Sequence, residues 1–253
     1  MNDYYFDVVI CVGPNDNDVI ESMIPYSKKN IIGYRNIYLV CANPTINIEG
    51  TITIDEKIFP FNINDLIQKF GKHNRNGWYL QQLLKFYAGN VIPGILSNYL
   101  IVDSDTHFLK PTSFIDRDGK YIYTTGYIYT TGPEYHKPYF NHMNKLHPSL
   151  KKAHPCSGIV HHMIVNNHIL NALIKLVETN HNSNPFWKIF INMVDPVDFP
   201  YSGASEYEIY FNYMNIYHKN DIIIRELNWK NAYSINDSNK HCNFVSIHWY
   251  MRR

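Results

Sequence analysis

Tyr99, Leu100, Ile101 and Val102 run without interruption into Asp103, Ser104 and Asp105, and Pro111 soon ends the element. An apolar run of this kind reads as a strand buried on both faces, with acid groups at its carboxyl end. In open α/β sheets that end is where ligands bind. Two residues apart, Asp103 and Asp105 point the same way if the strand continues. Paired carboxylates on one side suit a hard divalent cation that also holds phosphate oxygens. An acidic turn after a strand would use the same residues, so the remaining sequence must decide.

The flanking sequence supplies an α/β pattern. Phe6 to Val12 is a second buried-strand run, stopped by Gly13 and Pro14, a strong turn signal. Asp18 to Ser27 reads as a short helix, and Asn36 to Cys41 and Thr51 to Ile54 as further strands. Helical spacing over 77–89 puts Leu80, Leu83, Leu84 and Tyr87 on one core-facing stripe. Alternating strands and helices favour a mostly parallel sheet flanked by helices. Later, Cys156 to Val160 reads as a short strand, Asn167 to Glu178 and Ser205 to Tyr217 as helices, and Phe244 to Trp249 as a closing strand. No linker divides the 253 residues, so a single domain is expected.

Between these parts, Tyr-Ile-Tyr-Thr-Thr-Gly occurs twice, at 121–126 and 127–132. The even period keeps each residue type on its own face, so a strand or hairpin survives the duplication. With no third copy it is not a solenoid. Exposed tyrosines there could stack on a sugar ring, although an aromatic edge strand is the plainer reading.

Charge and cysteine content exclude several classes. The 23 basic and 22 acidic residues leave a formal charge of +1, without the basic field that nucleic acid requires. Cys11, Cys41, Cys156 and Cys242 form no Cys-x-x-Cys pair, which suggests a reducing compartment rather than a disulfide framework. No apolar run approaches the ~18 residues of a membrane span. A soluble, cytoplasmic protein is expected, its oligomeric state left open, a homodimer among the options. The abundance of Asn, Ile and Tyr reflects AT-rich codons more than function.

Chemistry-bearing residues recur outside the Asp-x-Asp run. Trp78, Gln81 or Gln82, and Lys85 share one helical face, and a lysine there could neutralise a diphosphate. His248 ends the last apolar run and could complete a metal site begun by carboxylates. Ser205 and Glu208 fit a capping box, which gives Glu208 a structural role and leaves Glu206 the better candidate for a catalytic carboxylate, with Glu208 second. The histidines between His136 and His181, including the pair His161 and His162, lack a zinc spacing and suit a polar acceptor cleft or plain surface. Neither a P-loop nor a Gly-x-Gly-x-x-Gly turn occurs.

Taken in order, these pieces resemble a GT-A glycosyltransferase, most of all the glycogenin-like family 8 enzymes and their less characterised relatives. The resemblance implies a Rossmann-like GT-A fold, with 1–110 binding the nucleotide sugar and 111–253 forming the acceptor side and a C-terminal metal-ligand strand. It implies that Val12, Gly13 and Asp16 cradle the nucleotide base, that Lys85 approaches the donor diphosphate, and that Gln82 and Ser104 add contacts to the donor. Asp103, Asp105 and His248 would hold Mn²⁺ or Mg²⁺, and Glu206 would face the anomeric carbon. The stretch Ser157, Gly158, Ile159 and Val160 matches a short strand of that pattern. The donor would be a nucleotide diphosphate sugar, most simply UDP-linked, and the acceptor a hydroxyl on a glycan, protein or small molecule.

Two departures stand out. Family 8 enzymes follow the late histidine with Gly and Lys-Pro-Trp, whereas Trp249, Tyr250, Met251, Arg252 and Arg253 follow it here. Either Arg252 or Arg253 would then replace the diphosphate lysine, or the C-terminal seal would differ. Glu206 and Tyr207 stand where Asp-Gln is usual, which leaves open whether the reaction inverts or retains. Two rival functions stand beside this one, the second permitted by the wealth of tyrosine. One is a haloacid-dehalogenase-type phosphatase built on Asp103 and Asp105 with Asp195 and Asp198 as a later acidic pair; the other is a sugar-binding module without catalysis.

Overall fold

The computed structural model describes residues 5–125, 136–236 and 240–252. Its first half follows the apolar runs. β1 (Phe6–Val12) is buried along its whole length, α1 (Asn17–Asn30) returns over the sheet, and the two-residue β2 (Ile31–Ile32) leads into β3 (Tyr34–Cys41). Then come β4 (Ile52–Asp55), α2 (Ile63–Phe70), α3 (Asn76–Val91) and β5 (Asn98–Asp103). The helix α2, not expected from the sequence, carries an apolar stripe of Ile63, Leu66, Ile67 and Phe70 and a capping box between Asn62 and Asp65.

The second half is more broken. It holds β6 (Thr106–Phe108), β7 (Thr112–Ser113), β8 (Tyr121–Thr124), α4 (Lys137–Leu146), β9 (His162–Asn166), α5 (Asn167–Asn180), α6 (Phe186–Met193) and α7 (Glu206–Tyr217). β10 (Ile222–Arg225), β11 (Trp229–Asn231) and β12 (Phe244–Ser246) close the fold. The first copy of the repeat is β8, which pairs in parallel with β10; the second copy lies outside the described residues.

The central sheet has the order β4-β3-β1-β5-β9. Four strands are parallel and β9 runs antiparallel to β5. The chain builds outward from β1 through β3 to β4, then crosses back to place β5 on the other side of β1. That reversal opens a crevice beyond the carboxyl ends of β1 and β5, the place where such sheets bind ligands. The result is a mixed α/β single domain with a mostly parallel central sheet flanked by helices.

A small second sheet, β11-β12-β6, brings the end of the chain to this crevice. β12 lies antiparallel to β6, with Ser246 opposite Thr106. The Ile247 N–H then donates to the Asp105 carbonyl at 2.9 Å, which anchors His248 beside Asp105. His248 therefore lies just past its strand, whereas the sequence placed it within one. Among the described residues no helix is long and apolar enough to cross a membrane.

Candidate active site

β1 ends at Val12, and Gly13 turns the chain so that its N–H donates to Asp16 Oδ2 at 3.3 Å. A Cβ on Gly13 would lie 3.0 Å from that oxygen and 3.5 Å from Gln81 Nε2, so this loop lies tight against α3. Ser104 Oγ donates to the same Asp16 oxygen at 2.9 Å, and Arg252 Nη1 donates to the other at 2.7 Å. Val12, Gly13, Asp16 and Ser104 thus form one wall of the crevice, with Arg252 closing over it. The Gln pair divides its work: Gln81 borders Gly13, while the Gln82 Oε1 accepts the backbone N–H of Glu206 at 3.0 Å.

Asp103 and Asp105 do not lie on one strand face. β5 ends at Asp103, and Ser104 and Asp105 turn the chain into β6. The turn is required because β6 leaves the central sheet to pair with β12. Asp103 Oδ1 accepts from Lys85 Nζ at 2.6 Å and from the Tyr207 hydroxyl at 2.8 Å, and Oδ2 lies 3.1 Å from His161 Nδ1. Burial favours the neutral acid here, but the Lys85 ammonium and His161 outweigh it and hold the Asp103 carboxyl well below the usual range.

Lys85 is the centre of this network. Its ammonium is buried, 2.7 Å from Glu206 Oε1 and 3.4 Å from the Tyr207 hydroxyl, and stands over the Tyr207 ring. Burial by itself would lower its pKa; the carboxylates of Asp103 and Glu206 raise it well above the ordinary value instead. Burial pushes the Glu206 carboxyl up, and Lys85 offsets part of that rise.

The α7 terminus that carries Glu206 is capped by Ser205, whose Oγ accepts the Glu208 N–H at 3.3 Å. The expected capping box is only half formed. Glu208 does not reach back to Ser205; its carboxylate accepts the Ser157 hydroxyl, the Gly158 N–H at 3.2 Å and Asn212 Nδ2 at 2.7 Å. This pinning explains why Cys156 to Val160 is a loop and not the strand expected from sequence. Gly158 packs so closely on Phe211 that a Cβ would fall 2.5 Å from that side chain. Glu208 is fully buried and has a structural role.

Asp105, His161 and His248 each offer one donor atom, and the three atoms lie within 4.8 Å of one another. Asp105 is held loosely, with Oδ2 3.4 Å from His248 Nδ1 and 3.8 Å from Arg252 Nη2, and Oδ1 3.5 Å from Ser246 Oγ. The His161 ring meets His248 edge-on at 4.9 Å and Trp229 at 5.2 Å. His161 adopts a left-handed backbone with φ 64°, a conformation that costs a non-glycine residue about 1–3 kcal/mol and clusters at functional sites. Its carbonyl accepts the Asp103 N–H at 2.9 Å, extending the β5–β9 ladder by one step.

His161, expected from the sequence in an acceptor cleft or on plain surface, belongs to this site. Its neighbour His162 turns to the opposite face, among Phe108, Phe114 and Phe244, where burial pushes its pKa down to about 3. A histidine pair just before an apolar strand was the available signal, since adjacent residues there face opposite ways. The acidic pair of the phosphatase alternative is placed elsewhere: Asp195 forms a half-exposed pair with Lys145 at 2.5 Å, and the Asp-x-Asp run ends the fifth strand of the chain rather than the first.

No family model matches the chain, and no curated protein matches it by sequence. Among solved structures, the apo form of mouse xyloside xylosyltransferase 1 is similar over 99% of this chain and 100% of that chain, with a TM-score of 0.50 and 10% identity. The likeness shows the fold alone, one shared with that xylosyltransferase.

Proposed function

We propose that this protein is a glycosyltransferase that moves a sugar from a nucleotide diphosphate donor, UDP-linked in the simplest case, to a hydroxyl acceptor. The observation that carries the reading is the placement of Lys85, Asp103, Asp105, Glu206 and His248 at the switch point between β1 and β5. The base and ribose would sit on Val12, Gly13, Asp16 and Ser104, with 1–110 supplying most of the donor side. Residues 111–253 would supply the acceptor side and His248. The acceptor itself would be a glycan, a protein or a small molecule.

A divalent cation, Mn²⁺ or Mg²⁺, fits the donor set. Asp105 offers a carboxylate whose contacts among the described residues are 3.4 Å or longer, His248 offers an imidazole, and Asp103 contacts His161, which joins them. When bound, such an ion supplies positive charge to the departing diphosphate. Lys85 carries fixed charge into the same buried region, where preorganised charge acts most strongly on a developing anion. Gln82 positions Glu206 through its backbone N–H.

In the reaction the bond from the anomeric carbon to the diphosphate oxygen breaks, and a bond from that carbon to the acceptor oxygen forms. Glu206, its proton affinity raised by burial, takes the acceptor proton if the reaction inverts, or stabilises the cationic anomeric centre if it retains. The test is nucleotide release from a panel of nucleotide sugars with Mn²⁺ present. Release from one donor, lost in Asp105→Asn and Glu206→Gln, supports the reading. Absence of release from every donor, together with hydrolysis of a generic phosphate ester, would replace it with the phosphatase.

A further inference from the structure

We infer that the cation of this site is held by Asp105, His161 and His248, and that Asp103 is the outer carboxylate that orients His161. The inference rests on the metal-dependent reading above and departs from the symmetrical use of both aspartates that the Asp-x-Asp spacing suggests.

Three observations carry it. The two carboxylates differ in occupation. Asp103 already has Lys85 at 2.6 Å and Tyr207 at 2.8 Å on one oxygen and His161 at 3.1 Å on the other. Among the described residues, the contacts of the Asp105 carboxylate are longer, 3.4 to 3.8 Å. The donor atoms that converge within 4.8 Å are those of Asp105, His161 and His248. Finally, the bond from His161 Nδ1 to Asp103 leaves Nε2 as the free ring nitrogen. That arrangement, in which a carboxylate holds one nitrogen of an imidazole whose other nitrogen binds a metal, recurs in metalloproteins and fixes ring orientation and tautomer. The left-handed backbone at His161 presents the ring there, and Lys85 neutralises the outer carboxylate.

A set of two imidazoles and one carboxylate has a chemical consequence. Imidazole favours transition metals, whereas Mg²⁺ prefers oxygen ligands and dehydrates reluctantly. The site should therefore select Mn²⁺ or Co²⁺ over Mg²⁺ by about tenfold or more on this ligand argument. Three protein ligands also leave positions open for oxygen atoms of a diphosphate.

Pulsed EPR of Mn²⁺ bound to the full chain counts coordinated imidazole nitrogens directly, without any turnover. The wild-type protein should give two. His161→Ala and His248→Ala should each give one, and Asp103→Asn should keep two while binding Mn²⁺ about 10–100-fold more weakly, the usual effect of losing an outer carboxylate. A single nitrogen in the wild-type protein would overturn the assignment whatever the variants do. That result would leave the transferase reading intact, since Asp103 would then take the third ligand position. A failure of Mn²⁺ to bind at all would overturn both this assignment and the metal dependence proposed above.

Discussion

The Lys85 ammonium lies 2.7 Å from the Glu206 carboxylate across 121 residues of sequence, and both groups are buried. The contact ties α3 to the first turn of α7, and through Asp103 it ties both to the end of β5. The two halves of the chain therefore share one buried charge network at the crevice.

Replacing Lys85 by Met should destabilise the fold as well as stop the reaction. It leaves Glu206 buried and Asp103 partly buried without their cation, and breaking such a pair costs about 3–5 kcal/mol. Equilibrium urea unfolding of Lys85→Met against the wild type measures this. A loss below about 1 kcal/mol, the range of an exposed pair, would mean that the network is solvated.

The two carboxylates of α7 should separate in their effects. Glu208→Gln removes the ionised acceptor of the Ser157, Gly158 and Asn212 bonds, so it should lower stability by about 1–3 kcal/mol. Glu206→Gln should abolish sugar transfer by at least about 100-fold if Glu206 acts as the base. The measurement is melting temperature beside the rate of nucleotide release for each variant. Transfer that survives in Glu206→Gln and disappears in a folded Glu208→Gln would reverse the roles.

This division was only partly legible in the sequence. The apolar runs announced β1, β3 and β5, and helical spacing announced α3, α5 and α7, because burial on one or both faces leaves a periodic signature. The Asp-x-Asp run marked the crevice for the same reason. The different fates of Asp103 and Asp105 depend on a turn between two sheets, which local spacing does not encode. His161 joins the site because β9 pairs antiparallel to β5, and the sequence placed that strand at 156–160. Glu208 satisfied a local capping pattern, yet its carboxylate serves a loop 50 residues away.

Stability should fall below neutral pH through His142, which lies outside the site in α4. Burial pushes its pKa down to about 4, against a bond from its ring to the Phe190 carbonyl at 2.9 Å. Between pH 6.5 and about 4 the unfolded chain binds a proton that the folded imidazole refuses, so stability drops as pH falls through that window. The drop from this group is on the order of 3 kcal/mol. His142→Asn keeps a donor without that titration, and its urea-unfolding free energy should depend less on pH from 7 to 4.5. Equal slopes for the two proteins would show that the imidazole is protonated in the fold.

Arg252 should act on the donor more than on the fold. It bonds Asp16 at 2.7 Å and lies 3.8 Å from Asp105, at the edge of the crevice. Arg252→Ala should weaken nucleotide binding by about tenfold, the worth of one charged hydrogen bond. Calorimetric titration with UDP checks this, and unchanged affinity would place the nucleotide away from the Asp16 wall.

Metal-dependent binding of a nucleotide sugar is tested by the melting temperature of the full chain with a panel of nucleotide sugars, in Mn²⁺ and in EDTA. A ligand that binds only the folded state raises the melting temperature by mass action. A metal-dependent transferase should show a rise with one nucleotide diphosphate sugar in Mn²⁺, absent in EDTA and absent in Asp105→Asn. A panel without a rise for any nucleotide sugar in Mn²⁺ would contradict it.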